Sequence, residues 1–126
     1  MAIKKYAFLS FLFLSLTVQG QERNLQNIKK LTFGGDNAEA YFSPDSKNLT
    51  MQVTNTQFGV PCDQIYSLDL TQPITDFNNL KLVSTGKGRT TCSYYMPDGK
   101  HIIYASTHEA NIACPAPPKP KDGKYL

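Results

Sequence analysis

A short turn that the chain writes twice constrains what the rest of it can fold into. Tyr41-Phe42-Ser43-Pro44-Asp45-Ser46-Lys47 returns as Tyr94-Tyr95-Met96-Pro97-Asp98-Gly99-Lys100. In each copy two aromatics lead into Pro-Asp-(Ser/Gly)-Lys, and an apolar, β-favouring run follows. Proline presets φ near about −65° for the first corner, Asp bonds the backbone of its own turn, and Gly99 supplies a positive φ. Between strand-like flanks this chemistry makes a hairpin. A hairpin that recurs after roughly 50 residues is the mark of a propeller or solenoid array.

The flanks read as strands. Leu31 and Phe33 alternate within Ile28–Phe33, and Glu39–Phe42 enters the first turn. Leu49, Met51 and Val53 then alternate with Thr50 and Gln52, the period-2 pattern of a strand with one buried face. Gln64–Leu70 places Tyr66, Leu68 and Leu70 on one side, and Leu80–Ser84 closes a four-strand unit. The cycle restarts at Thr91–Tyr95 and His101–Ala105, where apolar residues on both faces around Ile102 and Ile103 predict a deeper position. Tyr41, Phe42, Leu49, Tyr94, Tyr95 and Ile102 are expected in the core. The prolines of Cys114-Pro115-Ala116-Pro117-Pro118-Lys119-Pro120 forbid an interior strand there. The reading is an all-β chain of about two four-stranded antiparallel blades of an incomplete β-propeller. Blade one spans about 38–84 and blade two starts near 89, within a partial propeller over 28–126. Open edges of that kind predict a fragment of a longer protein that self-associates when alone.

The first 20 residues stand apart. Lys4-Lys5, the apolar run Tyr6–Val18 and the end Val18-Gln19-Gly20 form the pattern of a secretory signal peptide. The apolar run is shorter than the ~20 residues needed to span a bilayer. The mature chain is therefore expected to begin at Gln21, to be exported to the periplasm or beyond, to carry a flexible lead-in at 21–27, and to hold no transmembrane segment. Removing Lys4 and Lys5 takes the formal charge from +3 to +1. So small a charge gives no electrostatic ground for a nucleic-acid partner.

Lys29-Lys30-Leu31-Thr32, the aromatic-Ser-Pro-Asp hairpin at Tyr41–Leu49 and Asp63-Gln64-Ile65-Tyr66-Ser67-Leu68-Asp69 together resemble one repeat of the TolB-like β-propellers, a WD-like repeat family. Tyr95-Met96-Pro97-Asp98-Gly99-Lys100-His101-Ile102 is similar to the same motif in the next blade. Two positions depart from that pattern: Met96 replaces the usual Ser, and Ser46 the usual Gly. Serine is expected to fit its turn without left-handed geometry. The resemblance implies an exported, non-catalytic scaffold for a protein or peptide partner. The alternative it carries is an accessory propeller beside a secreted peptidase domain.

Chemistry-bearing motifs are sparse. Asp45 and Asp98 hold equivalent turn positions in separate blades, so with Pro44, Pro97 and Gly99 they read as structural. There is no Gly-x-Ser-x-Gly elbow. Gly86-Lys87-Gly88-Arg89 is too short before its lysine for a phosphate-binding loop, and His108-Glu109 lacks the second histidine of a zinc-protease helix. Asn48-Leu49-Thr50 matches a glycosylation sequon but falls inside an expected strand. No catalytic residue, metal or cofactor is assigned. The loops Gly34–Glu39 and Gly86–Cys92 give the binding-face candidates Asp36, Asn37, Glu39, Lys87 and Arg89. In an exported chain the three cysteines, Cys62, Cys92 and Cys114, predict one disulfide of unassigned pairing and one remaining thiol.

Overall fold

The computed structural model describes residues 24–116. The expected signal peptide and most of the proline-rich run lie outside them. Within them the chain is all-β. Four strands, β1 (Asp36–Phe42), β2 (Asn48–Asn55), β3 (Val60–Asp69) and β4 (Leu80–Leu82), form one antiparallel sheet in sequence order. Two more, β5 (Thr90–Tyr95) and β6 (Ile102–Ser106), pair as a separate hairpin. The first sheet thus has four strands in sequence order, and the second contains two strands among the described residues.

Period-2 alternation decides how the first sheet is covered. Cross-strand pairs Leu49↔Leu68 and Met51↔Tyr66 put apolar side chains on one face. With Val53 and Val60 they form the core, against which Leu31, Leu70, Ile74, Phe77 and Leu80 pack. Phe77 stacks on Phe58 at 4.6 Å and meets Tyr66 edge-on at 5.6 Å. Burying each large side chain of this set stabilises the fold by roughly 1.5–3 kcal/mol. The opposite face carries Thr50, Gln52 and Ile65, and there the second hairpin packs through polar pairs. Thr50 Oγ1 and Ser93 Oγ lie 2.9 Å apart, Thr91 Oγ1 donates to Gln52 Oε1 at 2.6 Å, and Thr90 Oγ1 donates to the Asp63 carbonyl at 3.1 Å.

The repeat holds at the level of backbone geometry, with a spacing of 53 residues from Pro44 to Pro97. Tyr41↔Thr50 and Phe42↔Leu49 in the first hairpin correspond to Tyr94↔Ile103 and Tyr95↔Ile102 in the second. Each leading strand is bulged at the same place, with Glu39 at φ 52° and its counterpart Cys92 at φ 54°. Both turns close with the same two bonds. Ser43 N–H to Asn48 O and Ser46 N–H to Ser43 O match Met96 N–H to His101 O and Gly99 N–H to Met96 O, all at 2.8–2.9 Å.

Several expectations change. Ile28–Phe33 is not a strand, since it joins no ladder; Leu31 alone reaches the core. Asp36–Ala38 is strand and not loop, because it pairs with Gln52–Thr54 ahead of the bulge. Strand β3 begins at Val60 and includes Pro61, after a 3-10 turn at Thr56–Phe58 that Asn55 caps through Gln57 N–H. Strand β4 ends at Leu82, and Val83 and Ser84 N–H both turn to the Ile65 carbonyl. The second hairpin is the shallower one: Ile103 is 60 % exposed and Ile102 half-buried, because β6 has no further strand or sheet over it among the described residues. Leu49 and Tyr95 are core, whereas Tyr41, Phe42 and Tyr94 are exposed.

Ser46 also overturns its expectation, for it stands at φ 59°, as left-handed as Gly99 at φ 66°. A side chain there costs about 1 kcal/mol relative to glycine. Ser46→Gly is therefore expected to raise stability by roughly 0.5–1 kcal/mol, and Gly99→Ala to lower it by a similar amount. Urea unfolding of both variants checks this; an unchanged or lowered midpoint for Ser46→Gly would mean that the first turn is not left-handed.

Candidate functional site

The two turns are self-contained. In the first, Ser43 Oγ donates to Asp45 Oδ1 at 2.7 Å and accepts Asn48 N–H at 2.9 Å, while Asp45 Oδ1 also accepts Lys47 N–H at 3.2 Å. These bonds, led by the Ser43 hydroxyl, hold the Asp45 carboxyl below the usual range. Met96 removes that hydroxyl from the second turn, and Asp98 takes over its task. Its Oδ1 accepts Lys100 N–H at 2.9 Å and His101 N–H at 3.1 Å, and its Oδ2 lies 2.6 Å from His101 Nδ1. The His101 bond is the main cause that lowers Asp98 to about 2. Pro44, Asp45, Pro97, Asp98 and Gly99 thus hold turn geometry. The departure at Met96 is compensated inside the same turn.

The binding-face candidates gather at the opposite ends of the strands and divide into two groups. Glu39 Oε2 accepts the Cys92 N–H at 3.0 Å, linking one bulge to the other. Arg89 Nε lies 3.2 Å from Asp63 Oδ2 as an ion pair without hydrogen-bond alignment. Asp63 in turn accepts from Thr54 Oγ1. Glu39 and Arg89 therefore join the two units. Asn37 secures its own loop, donating to Gly34 O at 3.1 Å. Asp36 and Lys87 are exposed, and neither side chain has a partner among the described residues. Of the five candidates, one acid and one base thus carry no side-chain partner among the described residues.

Beside them a disulfide joins Cys62, buried at the start of β3, to Cys114, exposed beyond β6. Cys92 is the free thiol. Arg89 Nη2 lies 3.9 Å from Cys114 Sγ. The bridge walls a cavity of about 280 Å³ with Val60, Pro61, Tyr66, Leu82 and Ile112. Gln64 closes its inner end, donating to Gly88 O at 2.9 Å and accepting Ser84 Oγ–H at 2.7 Å. Sequence reasoning missed this cavity because Ile112 and Cys114 reach it from beyond β6. It also missed Asp63 in β3, whose pairing with Arg89, the residue just before β5, joins the two units.

No family model, curated protein or solved structure matches this chain. Among the described residues no helix is long and apolar enough to cross a membrane.

Proposed function

We propose that the chain is a non-catalytic, exported scaffold that binds a protein or peptide, built as about two blades of a TolB-like β-propeller. The observation that carries this reading is the 53-residue recurrence of one hairpin with its turn, bulge and register intact. A repeat of this kind stacks sheets and leaves its connecting loops to vary, and loops on a rigid frame are where binding residues sit. The loop end is such a surface here. Glu39 and Arg89 stiffen it from below, and Asp36 and Lys87 stand unpaired on it among the described residues.

The test is retention of a partner from the exported proteins of the source cell. The immobilised chain should hold one that the Asp36→Lys/Lys87→Glu double variant releases, with the thermal midpoint of that variant unchanged. Equal retention by both forms would count against this surface. Hydrolysis of a model peptide by the purified chain would count against a non-catalytic role.

A further inference from the structure

The cavity beside the bridge is assembled from parts distant in sequence. Tyr66 comes from β3, Leu82 from β4, Gly86 and Gly88 from the loop between the units, and Ile112 from beyond β6. The Cys62–Cys114 bridge ties the last of these to the first. Its opposing walls therefore stand within the described residues, and a covalent bond holds them together. The volume is about 280 Å³. Apolar cavities of about 150 Å³ already take benzene, so this one has room for such a ring with a short substituent.

No residue lining the cavity is charged. Arg89 reaches the bridge from outside the lining, with Nη2 3.9 Å from Cys114 Sγ, and is paired with Asp63. Gln64 engages both ends of its amide, with Gly88 O and Ser84 Oγ. Tyr66 differs: it is only 7 % exposed, and its hydroxyl has no hydrogen-bond partner among the described residues. Burial pushes that hydroxyl up, so it stays protonated and offers a donor at neutral pH. A buried donor is costly until something accepts from it.

We propose that this cavity is a binding site for a small, uncharged aromatic molecule that carries one hydrogen-bond acceptor for the Tyr66 hydroxyl. The ring fills the space between Leu82, Ile112 and the bridge, whose carbon and sulfur atoms favour an apolar guest. The acceptor fixes its orientation. A carboxylate is disfavoured, because entry strips its water and the lining offers no cation in return. Since the bridge is one wall, the guest binds the oxidised chain in preference to the reduced one. The inference goes beyond partner binding at Asp36 and Lys87 and does not rest on it.

The test titrates fluorinated probes into the purified, oxidised chain and follows them by fluorine NMR. p-Fluoroacetophenone, neutral and with a carbonyl acceptor, is expected to bind saturably. Fluorobenzene, which lacks the acceptor, should bind about fivefold more weakly. p-Fluorobenzoate should bind more weakly by about tenfold or more. Tyr66→Phe keeps the ring that meets Phe77 edge-on. It should bring the ketone down to the affinity of fluorobenzene and leave fluorobenzene within about twofold. Amide shifts of the chain on binding should centre on Gly86, Gly88 and Ile112. Absence of saturable binding, as when later residues of the chain fill the space, would overturn the proposal. So would benzoate binding as tightly as the ketone, an unchanged preference for the ketone in Tyr66→Phe, or shifts centred elsewhere. Partner retention at the loop surface is a different measurement, so the cavity and that surface fail separately.

Discussion

Gly88→Ala is expected to cost the chain about 3 kcal/mol or more, and Gly35→Ala a similar amount. At Gly88 a Cβ would lie 2.7 Å from His108 N, 2.8 Å from Thr107 Oγ1 and 2.9 Å from His108 Cα. At Gly35 it would lie 2.4 Å from the Thr54 carbonyl oxygen and within 2.9 Å of two Asn55 side-chain atoms. Most of these neighbours are main chain at strand ends, or side-chain atoms held close to it, and cannot swing aside. Both glycines also sit at positive φ, 62° and 67°, so two penalties add: about 1 kcal/mol for the left-handed backbone and the remainder for overpacking. Gly59 separates them, for at φ 74° a Cβ placed there would meet nothing within 4 Å. Gly59→Ala should lose only about 1 kcal/mol. Equal losses at Gly59 and Gly88 in denaturant unfolding would show that the close approach is not made.

The second large effect belongs to the bridge. Cys62→Ala/Cys114→Ala, or reduction, is expected to destabilise the chain by about 4 kcal/mol. That is the loop-closure value for cysteines 52 residues apart. Much of the second hairpin's attachment to the first sheet runs through hydroxyl and amide pairs, which contribute only about 1 kcal/mol each. With the bridge open, that hairpin should lose amide-exchange protection before the core around Leu68 does. Cys92→Ser should behave as the parent, because Cys92 is an exposed free thiol. A double variant with the parent's denaturation midpoint would mean that the bridge adds nothing to the fold.

What was legible in the sequence was whatever local chemistry dictates. Pro44-Asp45 and Pro97-Asp98 announce their turns because proline fixes a dihedral angle and aspartate caps a backbone. Strand β2 announces itself because every second residue must be buried. The bulges at Glu39 and Cys92 are silent in the sequence, since neither side chain favours a left-handed backbone; the neighbouring ladder imposes it. Ser46 misleads for the same reason, as the turn demands a conformation that its serine merely tolerates. Ile28–Phe33 has the alternation of a strand without a partner, and alternation cannot create one. Ile102 and Ile103 show the converse. Their hydrophobicity records a need for cover, while exposure depends on which neighbour is present. At the candidate site, Lys87 stands out as a loop charge while Asp36 proves to be the first residue of β1, and the division between joining and free residues required the contacts of Cys92 and Asp63.

The polar seam between the two sheets bears on how the repeats could be exchanged. An apolar seam would accept any similarly shaped neighbour and let it slide, whereas hydroxyl and amide pairs act as dowels that fit one set of holes. The first unit offers Thr50 and Gln52 to Ser93 and Thr91. At the matching places the second unit presents Ile103 and Ala105. A duplicate of the second unit stacked on its own outer face would bring hydroxyls to aliphatic carbon, and would find no holes for its dowels. The two halves of this chain share one backbone plan, yet the second cannot replace the first as the seat for its own hairpin.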